Sequence, residues 1–126
     1  GVRGIRYMGK QLLKLECDAE KRAQYLPLYL GHIVRMQEEI GTGGAGFRFI
    51  YAAFLREASR LLNSLSLKEA ATAMTEAGDH WRLFALRASK MCKGREPMDV
   101  RLLNELLNGC ADREAAAWNL LAQYSR

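Results

Sequence analysis

The sequence predicts an all-α domain, a compact bundle of about six helices. Three observations predict it. Apolar residues recur at three- and four-residue spacing along almost the whole chain, the period of a helix with one apolar face. Ala and Leu dominate and only two prolines occur, a composition that favours helix. No segment alternates apolar and polar residues with the two-residue period of a strand. At 126 residues the chain has the size of one domain. Such a chain buries roughly two-thirds of its unfolded surface, so it needs no disulfide or metal to hold a core.

Each helix has its own signature. Ile5, Met8, Leu12 and Leu15 mark the first. Asp18 is placed to cap a second, whose apolar face is Leu26, Leu30, Ile33, Gln37 and Ile40; Pro27 predicts a kink or a restart within it. A third carries one broad apolar stripe of Phe47, Ile50, Tyr51, Phe54, Ala58, Leu61, Leu62 and Leu65. Ser66-Leu67-Lys68-Glu69 reads as a capping box. It opens a fourth helix with Leu67, Ala70, Ala71, Met74, Gly78, Trp81, Ala85, Ala88 and Cys92 on one face. Lys93-Gly94 closes that helix. Pro97 suits the first turn of a fifth, with Leu102, Leu103, Leu106 and Leu107 toward the core and Gly109 as its stop. Asp112 then caps a sixth, carrying Ala115, Trp118, Leu121 and Ala122. No repeat, low-complexity linker or second domain interrupts the pattern. The expected organisation is one helical domain over residues 1–126, the excised C-terminal part of a longer protein, since Gly1 is not an initiating Met.

Composition narrows the function classes. The net charge of +5 comes from basic residues scattered from Arg3 to Arg126, with no run of five, so the electrostatic footprint of a nucleic-acid binder is weak. Cys17, Cys92 and Cys110 lie far apart, with no C-x-x-C or Cys/His cluster. The expectation is free, mostly buried thiols in a reducing, cytoplasmic setting, with no metal, no cofactor and no catalytic cysteine. No apolar run approaches the ~20 residues that span a bilayer, so no membrane partner is expected.

The unusual feature is the turn Gly41-Thr42-Gly43-Gly44-Ala45-Gly46 between the second and third helices. Its Gly41-x-Gly43-x-x-Gly46 spacing matches the dinucleotide fingerprint, but that motif needs a strand before it, and residues 34–40 read as helix. A phosphate loop of the Walker type fails as well, because Phe47-Arg48 stands where Lys-Ser/Thr belongs. What remains is a helix junction with too many glycines for a simple cap, each worth about 0.5–1 kcal/mol of conformational entropy. Arg48 falls in the first turn of the third helix, where positive charge opposes the helix dipole, and Glu38 and Glu39 sit at a helix C-terminus, equally ill-placed. Two resolutions stand: an ion pair of Arg48 with Glu38 or Glu39, or an anionic ligand held by Arg48 and the exposed amides. Candidate ligand- or partner-binding residues are therefore Glu38, Glu39, Gly41, Thr42, Gly43, Gly44, Gly46, Phe47 and Arg48. Tyr29 and His32 join them from a semi-polar stripe that also holds Tyr25 and Met36. His80, beside Asp79 and Trp81, shares a face with Glu76, Leu83 and Arg87 that reads as solvated.

The segment Gly41-Thr42-Gly43-Gly44-Ala45-Gly46-Phe47-Arg48-Phe49-Ile50-Tyr51-Ala52-Ala53-Phe54-Leu55-Arg56-Glu57-Ala58, followed by Trp81-Arg82-Leu83-Phe84-Ala85, resembles a known pattern. It is similar to the C-terminal helical domain of butirosin-biosynthesis-protein-H-like proteins, a domain of unknown function. The resemblance implies a bacterial protein whose N-terminal domain, similar to cysteine peptidases, carries the nucleophile of an acyltransferase. The present chain would be its non-catalytic accessory domain, shaping a substrate or carrier-protein cleft. Its partners would be the N-terminal catalytic domain of the same protein, an acyl carrier protein or a small-molecule substrate, and a second copy of the chain. The alternatives are a structural or oligomerisation module with no ligand, and a binder of small anionic metabolites.

Overall fold

The structure is a computed structural model that describes the backbone of residues 1–38 and 44–124 and the side chains of residues 1–35 and 46–124. Among the described residues it is all-α, built from five helices: α1 (Val2–Cys17), α2 (Ala19–Glu38), α3 (Gly44–Leu62), α4 (Leu65–Cys92) and α5 (Val100–Tyr124). The long α4 is the spine. It packs along α5 on one side and α3 on the other, while α1 lies against α5 and α2 bridges α1 and α4.

The main core gathers Ile5 and Leu12 from α1, Leu26, Leu30 and Ile33 from α2, Trp81, Phe84 and Ala88 from α4, and Leu103, Leu107 and Cys110 from α5. Burying side chains of this size is worth about 1.5–3 kcal/mol each. Smaller clusters around Leu55, Ala70 and Ala71, and around Ala52, Met74 and Ala117, seat α3 on α4 and α5. Small residues let the helices approach. A methyl group on Gly78 would stand 2.9 Å from the Phe49 ring, so that glycine is the seat of α3 on α4.

The fifth and sixth expected helices are one helix, α5. Gly109 does not stop it. A side chain at position 109 would run into the His80 ring, so the glycine serves a close crossing of α4 and α5. Asp112 caps nothing; its carboxylate accepts from Arg6 at 2.6 Å and ties α5 to α1. In the same way α2 runs through Pro27 without restarting.

Three boundaries move. The N-cap of α4 is Ser64, not Ser66: its Oγ accepts from the Leu67 N–H at 3.3 Å. The reason lies one residue earlier. Asn63 adopts a left-handed φ of 49°, and the Ser64 N–H closes α3 on the Ser59 carbonyl at 2.9 Å, so the chain has already reversed. Helix α5 begins after Asp99, whose carboxylate accepts from the Leu102 N–H at 3.0 Å; Pro97 lies outside it. Asp18 caps α2 as its position predicts, accepting from the Lys21 N–H at 3.1 Å, and Lys93-Gly94 ends α4. The thiols are not mostly buried: Cys17 and Cys92 sit exposed at the ends of α1 and α4, and Cys110 alone is buried.

Candidate functional site

Helix α3 starts at Gly44, three residues before Phe47, so Arg48 is its fifth residue and lies past the first turn. At 100° per residue, Arg48, Ala52, Leu55 and Ser59 share one face. Ala52 and Leu55 are buried on that face, and Arg48 goes in with them. Its Nε and Nη2 both reach Glu114 Oε1 on α5, and its guanidinium lies 4.8 Å from the centre of the Trp81 ring on α4. The Trp81 Nε1–H donates to the same Glu114 oxygen at 3.0 Å. Arg48 and Glu114 side chains retain only 15% and 7% of their exposure, so the pair is desolvated and needs every one of these bonds. Among the described residues no buried side-chain polar atom lacks a partner. The Cys110 thiol lies in the same neighbourhood, and burial pushes it up to about 12, against the opposing pull of the Arg48 charge.

Placing Arg48 inward turns the apolar stripe of α3 outward. A stripe on a bundle helix ordinarily faces the core. Here Phe47, Ile50, Phe54 and Leu61 are 50%, 72%, 62% and 70% exposed. Tyr51 joins this strip to the core: its ring stacks on Phe47 and Phe54 and meets Trp118 of α5, all at 5.9 Å between centroids. The result is an exposed aromatic and aliphatic strip along α3.

The sequence candidates therefore fall into separate places. Phe47 belongs to the outer strip and Arg48 to the buried cluster. Gly44 and Gly46 belong to the first turn of α3 rather than to a turn before it. Tyr29 and His32 stand with Gln11, Leu15, Tyr25 and Leu28 around a shallow groove of about 440 Å³ between α1 and α2. Burial, and the neighbouring Tyr7, hold the Tyr29 hydroxyl above its ordinary pKa of 10.0. Gly41, Thr42, Gly43 and Glu39, with the side chain of Glu38, lie outside the described residues, as does the expected pairing of Arg48 with Glu38 or Glu39. The face that His80 shares with Glu76 and Leu83 is solvated at those two residues, which are exposed. His80 itself is half-buried beneath α5, where burial and then Arg113 hold its pKa below 6.5 against a hydrogen bond to the Leu106 carbonyl.

Glu114 was not among the candidates, although the sequence carries a signal for it. Leu103, Leu107, Cys110, Glu114 and Ala117 recur at four- and three-residue spacing, so Glu114 is one acid on an otherwise apolar stripe. Arg48 is likewise one base on the stripe of Ala52 and Leu55. Two lone opposite charges on core-facing stripes are natural partners.

Among the described residues, no group of His, Cys, Asp and Glu could hold a metal ion, and no helix is long and apolar enough to cross a membrane. Residues 1–121 match the pattern of a family described as a domain of unknown function, DUF4872. No curated protein and no solved structure matches the chain.

Proposed function

The chain belongs to the DUF4872 family, a domain of unknown function, and we propose that it works as a non-catalytic accessory domain that docks through the outer face of α3. The partner we assign is an N-terminal, cysteine-peptidase-like catalytic domain of the same protein, as the butirosin-biosynthesis-H-like resemblance implies. The docked domain would wall a cleft for the substrate or for a carrier protein. One observation carries the reading: α3 is apolar on two sides, and the bundle covers only one of them. A helix with two apolar sides needs two neighbours. The exposed side is rich in aromatic residues, the composition of interface centres.

The test is the pair Ile50→Lys and Phe54→Glu in the natural polypeptide that carries this domain. Both side chains are exposed, so the thermal midpoint of the 126-residue chain should stay nearly unchanged, surface substitutions being worth about 0.5 kcal/mol or less. Turnover of the whole protein should fall by about tenfold or more, since two charges placed in an apolar interface oppose docking by several kcal/mol. Unchanged turnover would overturn the proposal.

A second reading uses the same face. Phe47, Ile50, Phe54 and Leu61 fall on a seam with spacings of three, four and seven residues, the kind along which identical helices pair. A homodimer of the 126-residue chain, lost in Phe54→Glu, would favour an oligomerisation module over docking in cis.

A further inference from the structure

The α3–α4 corner holds a groove of about 760 Å³, within the range of small-molecule sites. We propose that it binds a small molecule bearing a diphosphate or a similar pair of phosphate groups. Arg56 and Arg60 line one wall and Lys68 the other, with Ser59 and Thr72 beside them and Glu57 as the one acid. Glu57 is committed to Arg60, 2.5 Å from its Nη2. Arg56 leans on the Thr75 hydroxyl at 3.4 Å, a long bond that leaves its other N–H groups open. The Lys68 ammonium has no ion pair among the described residues.

This arrangement is built into the corner. Arg60 is held to Glu57 through both Nε and Nη2, so Arg56, one helical turn before it on α3, is the guanidinium open to a phosphate. Lys68 faces them from α4 as a compact point charge, placed for a second phosphate. The spacing of the two walls is fixed by the reversal at Asn63 and by the Ser64 cap. The positive end of the α4 dipole points the same way. An adjoining groove shares Lys68 and Thr72 but adds Glu69 and Glu76, so the cationic stretch is confined to the side toward Arg56 and Arg60. Ala53 and Leu65 supply the apolar contact for the remainder of the ligand. The site is separate from the docking strip, and its test does not depend on docking.

The probe is sodium pyrophosphate, titrated calorimetrically into the 126-residue chain and compared with sodium chloride at matched ionic strength. Saturable one-to-one binding is expected with pyrophosphate alone. The double variant Arg56→Ala/Lys68→Ala should bind about tenfold more weakly or worse, the loss expected for two charge-assisted contacts. The control Lys21→Ala/Arg22→Ala removes the same charge from exposed positions on α2 and should bind like the parent. Circular dichroism verifies that each variant is folded. Absence of saturable binding, equal binding by the groove variant, or an equal loss in the control would each overturn the proposal.

Discussion

The Trp81 indole N–H and the Glu114 carboxylate meet at 3.0 Å in the interior, on the oxygen that Arg48 also holds. The three residues come from α4, α5 and α3, so one carboxylate oxygen joins the two helices that pack on either side of α4. A charge pair of this kind gives little net stability over an apolar core, yet it tolerates no missing member. Arg48→Ala should cost about 3–5 kcal/mol, because it leaves the Glu114 carboxylate buried without this counter-charge, and Glu114→Ala should destabilise the fold as well. The double variant Arg48→Met/Glu114→Leu should recover most of that loss. Urea denaturation of the four proteins measures it. Single losses below about 1 kcal/mol would mean that water reaches the pair.

The thiols should separate by exposure. Cys17 and Cys92 are exposed, whereas Cys110 is buried and its pKa is pushed up to about 12. A thiol reagent at neutral pH should therefore modify Cys17 and Cys92 in the native protein and Cys110 only after unfolding. Cys92 should lag the ordinary rate of an exposed thiol, because partial burial raises its pKa and so thins its thiolate population. Mass spectrometry of labelled peptides reads this directly. Fast labelling of Cys110 would contradict the packing of α4 on α5.

His80 gives the fold a pH dependence with a definite sign. Its folded pKa lies below 6.5, from burial first and Arg113 second. Between that folded value and 6.5 the unfolded chain therefore binds more protons. The contribution of His80 to stability is complete above 6.5 and declines as pH falls from 6.5 toward the folded value. Glu76 and Asp79 on α4 and Arg113 on α5 line the same surface hollow as His80. Comparing the stability of the parent and of His80→Gln between pH 7.5 and 5 isolates the imidazole; parallel curves would rule out the depressed pKa.

Much of the fold is legible in the sequence because helix periodicity is local. The core faces of α1 and α2, and nearly all of that of α4, follow from three- and four-residue spacing, and the Asp18 cap and the Lys93-Gly94 stop follow from chemistry within one turn. What escapes depends on contacts across the chain. Gly109 looks like a terminator until His80, which packs over it, is known. Asp112 looks like a cap until Arg6 claims it. The direction of α3 is the largest such case. Its broad stripe outweighs the inner face of Arg48, Ala52 and Leu55 in apolar content, so periodicity alone points the helix the wrong way round. Arg48 finds its acid 66 residues further on. Glu38 and Glu39 are near Arg48 in sequence, whereas Glu114 is marked only by its place as the one acid on the apolar stripe of α5.

The central claim is that a partner domain covers the outer face of α3, and covering can be measured without knowing the reaction. Ile50, 72% exposed, can be replaced by cysteine in a background lacking the native exposed thiols, Cys17→Ser/Cys92→Ser. The labelling rate at position 50 is then compared between the 126-residue chain and the natural polypeptide that carries it. Docking predicts that labelling slows by about tenfold or more in the longer protein, the level of protection given by an interface held by about 1.4 kcal/mol or more. An equal rate in the two proteins would contradict it.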